Sequence, residues 1–254
     1  MTQVYELEEV RAAAKALRDG QFKQAAKQTW SLSPATPMVL VLGAEGGSGS
    51  TAVALAIAEA TTAARLIECC AQGDSGLVAA GLAELGETSG WLRADRDAVR
   101  LDRRADNNPF AVPTPLASSG DETVVVDAGH DLDVVGQTPW LRELLERADV
   151  ILVCRATIPG LRRLEAKLAA LDALGRPVAA ALVIGPARKR WPKDLGSTLG
   201  RLTRGMDADG GLLTVAHDPS LAYHGIDTSP LPSDLQRAGE QIARQLQLPM
   251  NPRK

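Results

Sequence analysis

VLGAEGGSGST, residues 41–51, joins an apolar run, MVLVLG at 38–43, to an alanine-rich one, TAVALAIAEATTAA at 51–64. A buried strand, a glycine loop and a helix in that order are the setting of a phosphate-binding loop, in which backbone N–H groups at a helix N-terminus curl around phosphate oxygens. Gly46, Gly47 and Gly49 supply the permissive backbone, Ser48 and Ser50 stand between and after them, and Thr51 and Ala52 open the helix. Thr51 carries the hydroxyl that holds Mg²⁺ in such loops. The lysine that ordinarily adds a point charge at the β/γ-phosphates is missing, and Ser50 occupies its position. The same residues also suit a glycine turn that holds no ligand.

Outward from the loop the chain alternates strand and helix patterns. ARLIECC (64–70), ETVVVDAGH (122–130), DVILVCRA (149–156), PVAAALVIG (177–185) and GLLTVAHD (211–218) read as strands. WLRELLERA (140–148), LRRLEAKLAALDALG (161–175) and LPSDLQRAGEQIARQLQL (231–248) read as amphipathic helices. With MVLVLG this makes six apolar strands separated by helices, which predicts an α/β fold: a mostly parallel sheet covered on both faces. Between residues 73 and 121 the pattern is weaker, with a helix expected over GLVAAGLAEL (76–85), a strand over AVRLDRR (98–104) and a Pro/Asn-rich loop over 107–121. Residues 1–30 carry apolar positions at helical spacing and are expected to form an N-terminal helical extension, residues 31–37 a Pro/Ser linker, residues 38–248 the α/β domain and residues 249–254 a tail.

The segment AEGGSGST (44–51) resembles the deviant Walker A motif of the ParA/MinD family of P-loop ATPases, written KGGxGK followed by Ser or Thr. Glu45 stands where that family has a lysine that reaches across a nucleotide-sandwich dimer, and Ser50 where it has the ordinary loop lysine. Glu68-Cys69-Cys70-Ala71-Gln72-Gly73-Asp74 is similar to the family's DxDPQGN pattern, with Glu68 for the first acid and Cys70 in place of the second. VVVD ends in Asp127, the counterpart of the Walker B aspartate that holds the Mg²⁺ water shell, and ADVILVCRATIP (148–159) is similar to a further family strand. VAHDPSLAYHG (215–225) resembles its base-binding end, which implies that His217, Asp218 and Pro219 border the base, while Gly185 replaces the usual base-reading Asn. The resemblance implies ATP or ADP with Mg²⁺ as ligand, Thr51 and Asp127 as the metal-side residues, and binding that is weak or absent. Each lost lysine removes a charge-assisted contact of roughly 1.5–3 kcal/mol, and phosphoryl transfer suffers more than binding. Glu45 adds repulsion if it faces the phosphates.

Composition excludes little beyond this. The formal charge is -3 at pH 7 in 254 residues, so any nucleic-acid role must rest on a local patch. Residues 187–204 supply one: Arg188, Lys189, Arg190, Lys193, Arg201 and Arg204 against Asp194, with Trp191 interleaved, a pattern able to contact DNA phosphates without sequence preference. Cys69 and Cys70 point to opposite faces of a strand and read, with Cys154, as buried filler rather than a metal or redox pair. His130, His217 and His224 form no recognisable catalytic arrangement. The charged, amphipathic start and the absence of a long apolar segment favour a cytoplasmic protein with no transmembrane segment.

Three functions fit these residues. The first is a pseudo-ATPase or weak nucleotide binder of the degenerate, TadZ/CpaE-like kind, acting in partition, positioning or plasmid transfer as a homodimer or with a protein partner. The second is a working ATPase completed in a dimer or by a partner, through a residue such as Arg155, Arg162 or Arg163. The third is a nucleotide-free scaffold or DNA-binding interaction protein.

Overall fold

A computed structural model of the chain describes residues 30, 33, 35–108, 111–117 and 122–251, and the expected N-terminal helices fall outside them. The first half runs β1 (Met38–Gly43), α1 (Ser50–Ala60), β2 (Ala64–Glu68), β3 (Ala83–Thr88), β4 (Trp91–Arg96), β5 (Val99–Arg104) and β6 (Thr123–Asp127). Then come α2 (Leu132–Gln137), α3 (Pro139–Arg147), β7 (Asp149–Arg155), α4 (Ile158–Ala173), β8 (Val178–Ile184), α5 (Lys193–Ser197) and α6 (Arg201–Ala208). β9 (Leu212–Val215), α7 (Pro219–His224) and α8 (Ser233–Gln245) complete the series. All nine strands join one sheet in the order β3-β4-β5-β2-β6-β1-β7-β8-β9, and every pairing from β5 to β9 is parallel.

Side-chain alternation on β1 divides the core. Val39 and Val41 pack with α1 and α8 on one face, while Leu40 and Leu42 pack with α3 and α4 on the other. α1 buries nearly every residue from Val53 to Ala60, as a helix apolar all round must. It lies against α8 so closely that a Cβ on Gly239 comes 2.3 Å from the Ala56 carbonyl oxygen, so only glycine fits that crossing. Trp30 is buried against Trp140, ring centroids 5.5 Å apart, and residues 249–251 bond back to the end of α1 through Thr62 N–H to Pro249 O and Asn251 N–H to Ala60 O.

The expected helix over residues 76–85 is not there. Leu77 and Ala80 turn into the core, and the chain then enters β3, the outer strand of a β3–β4 hairpin that runs antiparallel beside β5. Ser89 and Gly90 between the two strands both have positive φ, 53° and 82°, which suits the tight hairpin turn whose twist matches its strands. Strand pairing outweighs the helical propensity of the Ala/Leu run, and the hairpin's two strands raise the seven expected, β5 included, to nine. The strand expected over 98–104 is present as β5. α1 stops at Ala60, four residues short of the apolar run's end, where Thr61 pairs with Met250.

Candidate functional site

Because β6 and β7 flank β1, the loop after Gly43 receives Asp127 from one side and Arg155 from the other. All three points lie at the C-terminal ends of parallel strands, where open α/β sheets hold ligands. Gly47 and Gly49 have φ of 65° and 92°, the left-handed conformation that turns successive amides inward, and Gly49 is the N-cap of α1.

Thr51 Oγ1 donates to Asp127 Oδ2 at 2.5 Å beneath the loop. Asp127 is buried, and desolvation raises its pKa against the opposing hydrogen bond from Thr51. Its second oxygen, Oδ1, has no hydrogen bond of good geometry although Ser50 and Gly129 lie near, and the buried Ser48 Oγ is also unpartnered. Glu68 is the register neighbour of Asp127 on β2, accepts from Gly76 N–H at 2.8 Å and from the Ser75 hydroxyl, and is wholly buried. Burial pushes its carboxyl up to about 7, Asp127 adds to the rise, and the Ser75 bond opposes it.

A cavity of about 280 Å³ opens over this floor. Gly47, Ser48, Gly49, Thr51, Ala52, Gly76 and Arg155 form its polar end, and Ile184, Val215, Ala216, Leu221, Ala222, Ile226 and Leu235 its apolar end, with His217 and Asp218 at the rim. Asp218 also caps α7 by accepting from Leu221 N–H at 2.9 Å, and Pro219 begins that helix. The loop and the 215–218 segment, about 170 residues apart in the chain, therefore meet across one cavity, whereas Glu45, Gly46, Ser50, Asp127 and Pro219 stand outside its lining. Gly185 cannot carry a base-reading side chain as packed, since a Cβ there comes 2.3 Å from Ala156 Cβ.

Glu45 does not face the loop's interior. Its carboxylate accepts from Arg163 Nη1 at 2.6 Å and from the Arg155 backbone N–H at 3.2 Å, so its charge is taken up at the start of α4. Arg155 itself lies across the loop: Nε donates to Gly47 O at 2.8 Å, and Nη2 comes within 3.0 Å of where a Gly47 Cβ stands. The chain's short segments do not reveal that placement; strand order does, because β7 lies next to β1. Ser75 and Gly76, which hold Glu68, also escape a motif-based reading.

The oxygen donors present, Thr51 and the carboxylates of Asp127 and Glu68, suit a hard cation such as Mg²⁺ completed by water and phosphate. The orphaned Ser48 hydroxyl and Asp127 Oδ1 are consistent with a ligand there. Among the described residues no group of three or more His, Cys, Asp or Glu is placed to hold a metal ion. The cysteines are free, and burial pushes the Cys154 thiol up to about 12 and raises those of Cys69 and Cys70. His130 bonds to Cys69 O at 2.9 Å, and desolvation lowers its pKa.

The basic run forms a separate surface. Arg188 pairs with Asp207 at 3.2 Å and stacks on Trp191 at 4.3 Å, while Lys189, Arg190, Lys193, Arg201 and Arg204 are exposed. Asp207, just beyond the run, thus offsets one of its charges. No described helix is long and apolar enough to cross a membrane.

No family model and no curated protein matches the chain. Solved structures match its fold. A chain of the Aquifex aeolicus MinC:MinD cell division protein complex has 13% identity and a TM-score of 0.52 over 84% of this chain and 96% of its own. MinD of Pyrococcus horikoshii complexed with Mg-ADP has 15% identity and a TM-score of 0.52 over 83% and 96%. A Borrelia burgdorferi protein described as a plasmid partition protein, bound to AMPPNP, has 14% identity and a TM-score of 0.51 over 84% and 98%. The chain has the MinD/ParA-type P-loop fold.

Proposed function

We propose that the chain is a ParA/MinD-like nucleotide-responsive factor of the degenerate, TadZ/CpaE-like kind, which binds ATP or ADP with Mg²⁺ weakly and hydrolyses it slowly or not at all. The observation that carries this reading is the cavity bounded by the glycine loop at one end and by Val215, Ala216, Leu221, Ala222 and Ile226 at the other, with Thr51 and Asp127 joined beneath it. A polyphosphate suits the amide-rich end and a base the apolar end. Thr51 and Asp127 are the residues to hold Mg²⁺, which supplies charge neutralisation at the phosphates. The absent lysines withhold the positioned cations on which fast phosphoryl transfer depends. Its role is partition, positioning or plasmid transfer, as a homodimer or with a protein partner, with the exposed basic residues of 189–204 contacting DNA non-specifically.

The test is the melting temperature with and without millimolar Mg²⁺·ATP, combined with phosphate release. Ligand at 100 times its dissociation constant adds about 2.7 kcal/mol, a rise of several degrees for a domain of this size. A rise without turnover is expected. Turnover that increases with protein concentration replaces this reading with the dimer-completed ATPase, and neither response replaces it with the scaffold.

A further inference from the structure

We infer that Arg155 supplies, within the same chain, the phosphate-binding cation that the glycine loop lacks. The inference rests on the nucleotide reading above and adds the residue that makes it workable. Arg155 ends β7, the strand hydrogen-bonded beside β1, so its backbone is fixed by the sheet rather than by a loop. The bond from Nε to Gly47 O at 2.8 Å orients the guanidinium, Nη2 then lies over Gly47, and Arg155 lines the cavity. Among the described residues Arg155 makes no ion pair, whereas its neighbour Arg163 is engaged by Glu45. The Glu45 carboxylate, anchored on the Arg155 backbone N–H and on Arg163, is thereby directed away from the cavity.

The ligand class that answers this geometry is a nucleoside di- or triphosphate. A guanidinium keeps its charge at every relevant pH, and with Nε committed to the loop it still offers its terminal N–H groups to phosphate oxygens. The loop's amides and the guanidinium face one volume, so phosphate is gripped from two sides without a lysine at position 50. Because the cation comes from the same chain, binding needs no second copy.

Isothermal titration of the full chain with Mg²⁺·ADP, with inorganic tripolyphosphate and with adenosine separates the possibilities. Arg155→Met is expected to weaken Mg²⁺·ADP and tripolyphosphate about 10- to 100-fold and to leave adenosine unchanged. Ser50→Lys placed on Arg155→Met is expected to recover most of the loss, and Arg162→Met, at an exposed arginine outside the cavity lining, to change phosphate binding little. Wild-type affinity is expected to be independent of protein concentration. Melting of each variant without ligand checks the fold, and Arg155→Lys, which keeps the charge but not the Gly47 bond, gives an intermediate affinity. Wild-type binding that Arg155→Met leaves intact overturns the assignment of Arg155 while sparing the nucleotide reading. Equal loss of adenosine and tripolyphosphate assigns Arg155 to holding the loop's shape and also overturns it. No wild-type binding of any of the three overturns both.

Discussion

Thr51 Oγ1 and Asp127 Oδ2, 76 residues apart, share a 2.5 Å hydrogen bond that ties the first turn of α1 to the end of β6. The bond offsets part of the desolvation of a buried carboxylate whose other oxygen has no partner of good geometry. Thr51→Ala leaves Oδ2 without its partner, an effect of about 1–3 kcal/mol. The expected outcome is a melting temperature lower by several degrees and loss of the Mg²⁺·ATP response, both read in one thermal-shift series. A variant that melts lower but still responds to Mg²⁺·ATP removes Thr51 from the metal side and leaves it a structural tie.

Glu68 gives the protein a pH dependence of definite sign. Its folded-state pKa of about 7 lies above its ordinary 4.5, so below 4.5 both folded and unfolded forms are protonated and the contribution is fully present. Between those values the unfolded chain releases a proton that the folded one retains, and the contribution is lost as pH rises through 7. Its span is about 3 kcal/mol. Buried Asp127 shifts in the same direction. Glu68→Gln is expected to flatten the fall in urea-unfolding free energy from pH 4.5 to 7.5; an unchanged profile assigns the slope elsewhere.

The loop and the helix it opens were legible because their apolar flanks and glycine spacing form a local string that specifies its own conformation, while Asp127 was picked out by the resemblance of VVVD to a Walker B strand. The two faces of β1 follow likewise from period-two alternation. Arg155 was legible as a residue that could complete the loop from a second copy or partner, but not as the loop's neighbour in its own chain, because that position depends on β7 pairing with β1 across more than a hundred residues. Residues 76–85 misled for the opposite reason, since their Ala/Leu content favours a helix and only the pairing of Ala83–Thr88 with Trp91–Arg96 draws their end into the edge of a hairpin. Glu45 would repel phosphates only if it faced them, and its carboxylate is instead paired with Arg163, one turn into α4.

Gly185 and Ala156 are packed as a pair. A Cβ at 185 comes 2.3 Å from Ala156 Cβ, so Gly185→Ala is expected to cost about 1–3 kcal/mol by overpacking, and Gly185→Asn more. Combining Gly185→Ala with Ala156→Gly relieves the contact and is expected to recover over half of the loss. A double-mutant cycle in urea reads the coupling, and additive effects show that the two sites relax independently.

Gly239 carries a similar constraint at the helix crossing, but against backbone. The 2.3 Å approach to Ala56 O leaves no side chain to swing aside, so Gly239→Ala must separate α1 from α8. Glycine to alanine in mid-helix otherwise stabilises by roughly 0.5–1 kcal/mol, which makes a net loss of stability diagnostic of the clash. A lower urea midpoint is expected together with a weaker Mg²⁺·ATP response, because α1 carries Thr51 at its start. A gain in stability shows that the helices part without cost.

The basic surface is best probed where its charges are exposed. Arg188 is engaged by Asp207 and Trp191, so reversing it alters local packing along with charge. Lys189→Glu with Arg190→Glu leaves that pair in place and changes two exposed cations. If the surface contacts DNA phosphates, retardation of a random duplex by the wild type weakens steeply with salt, and the double variant loses affinity with a shallower salt slope. Affinity and slope equal to wild type assign residues 189–190 to a solvated turn, and the remaining exposed cations, Lys193, Arg201 and Arg204, become the next to reverse.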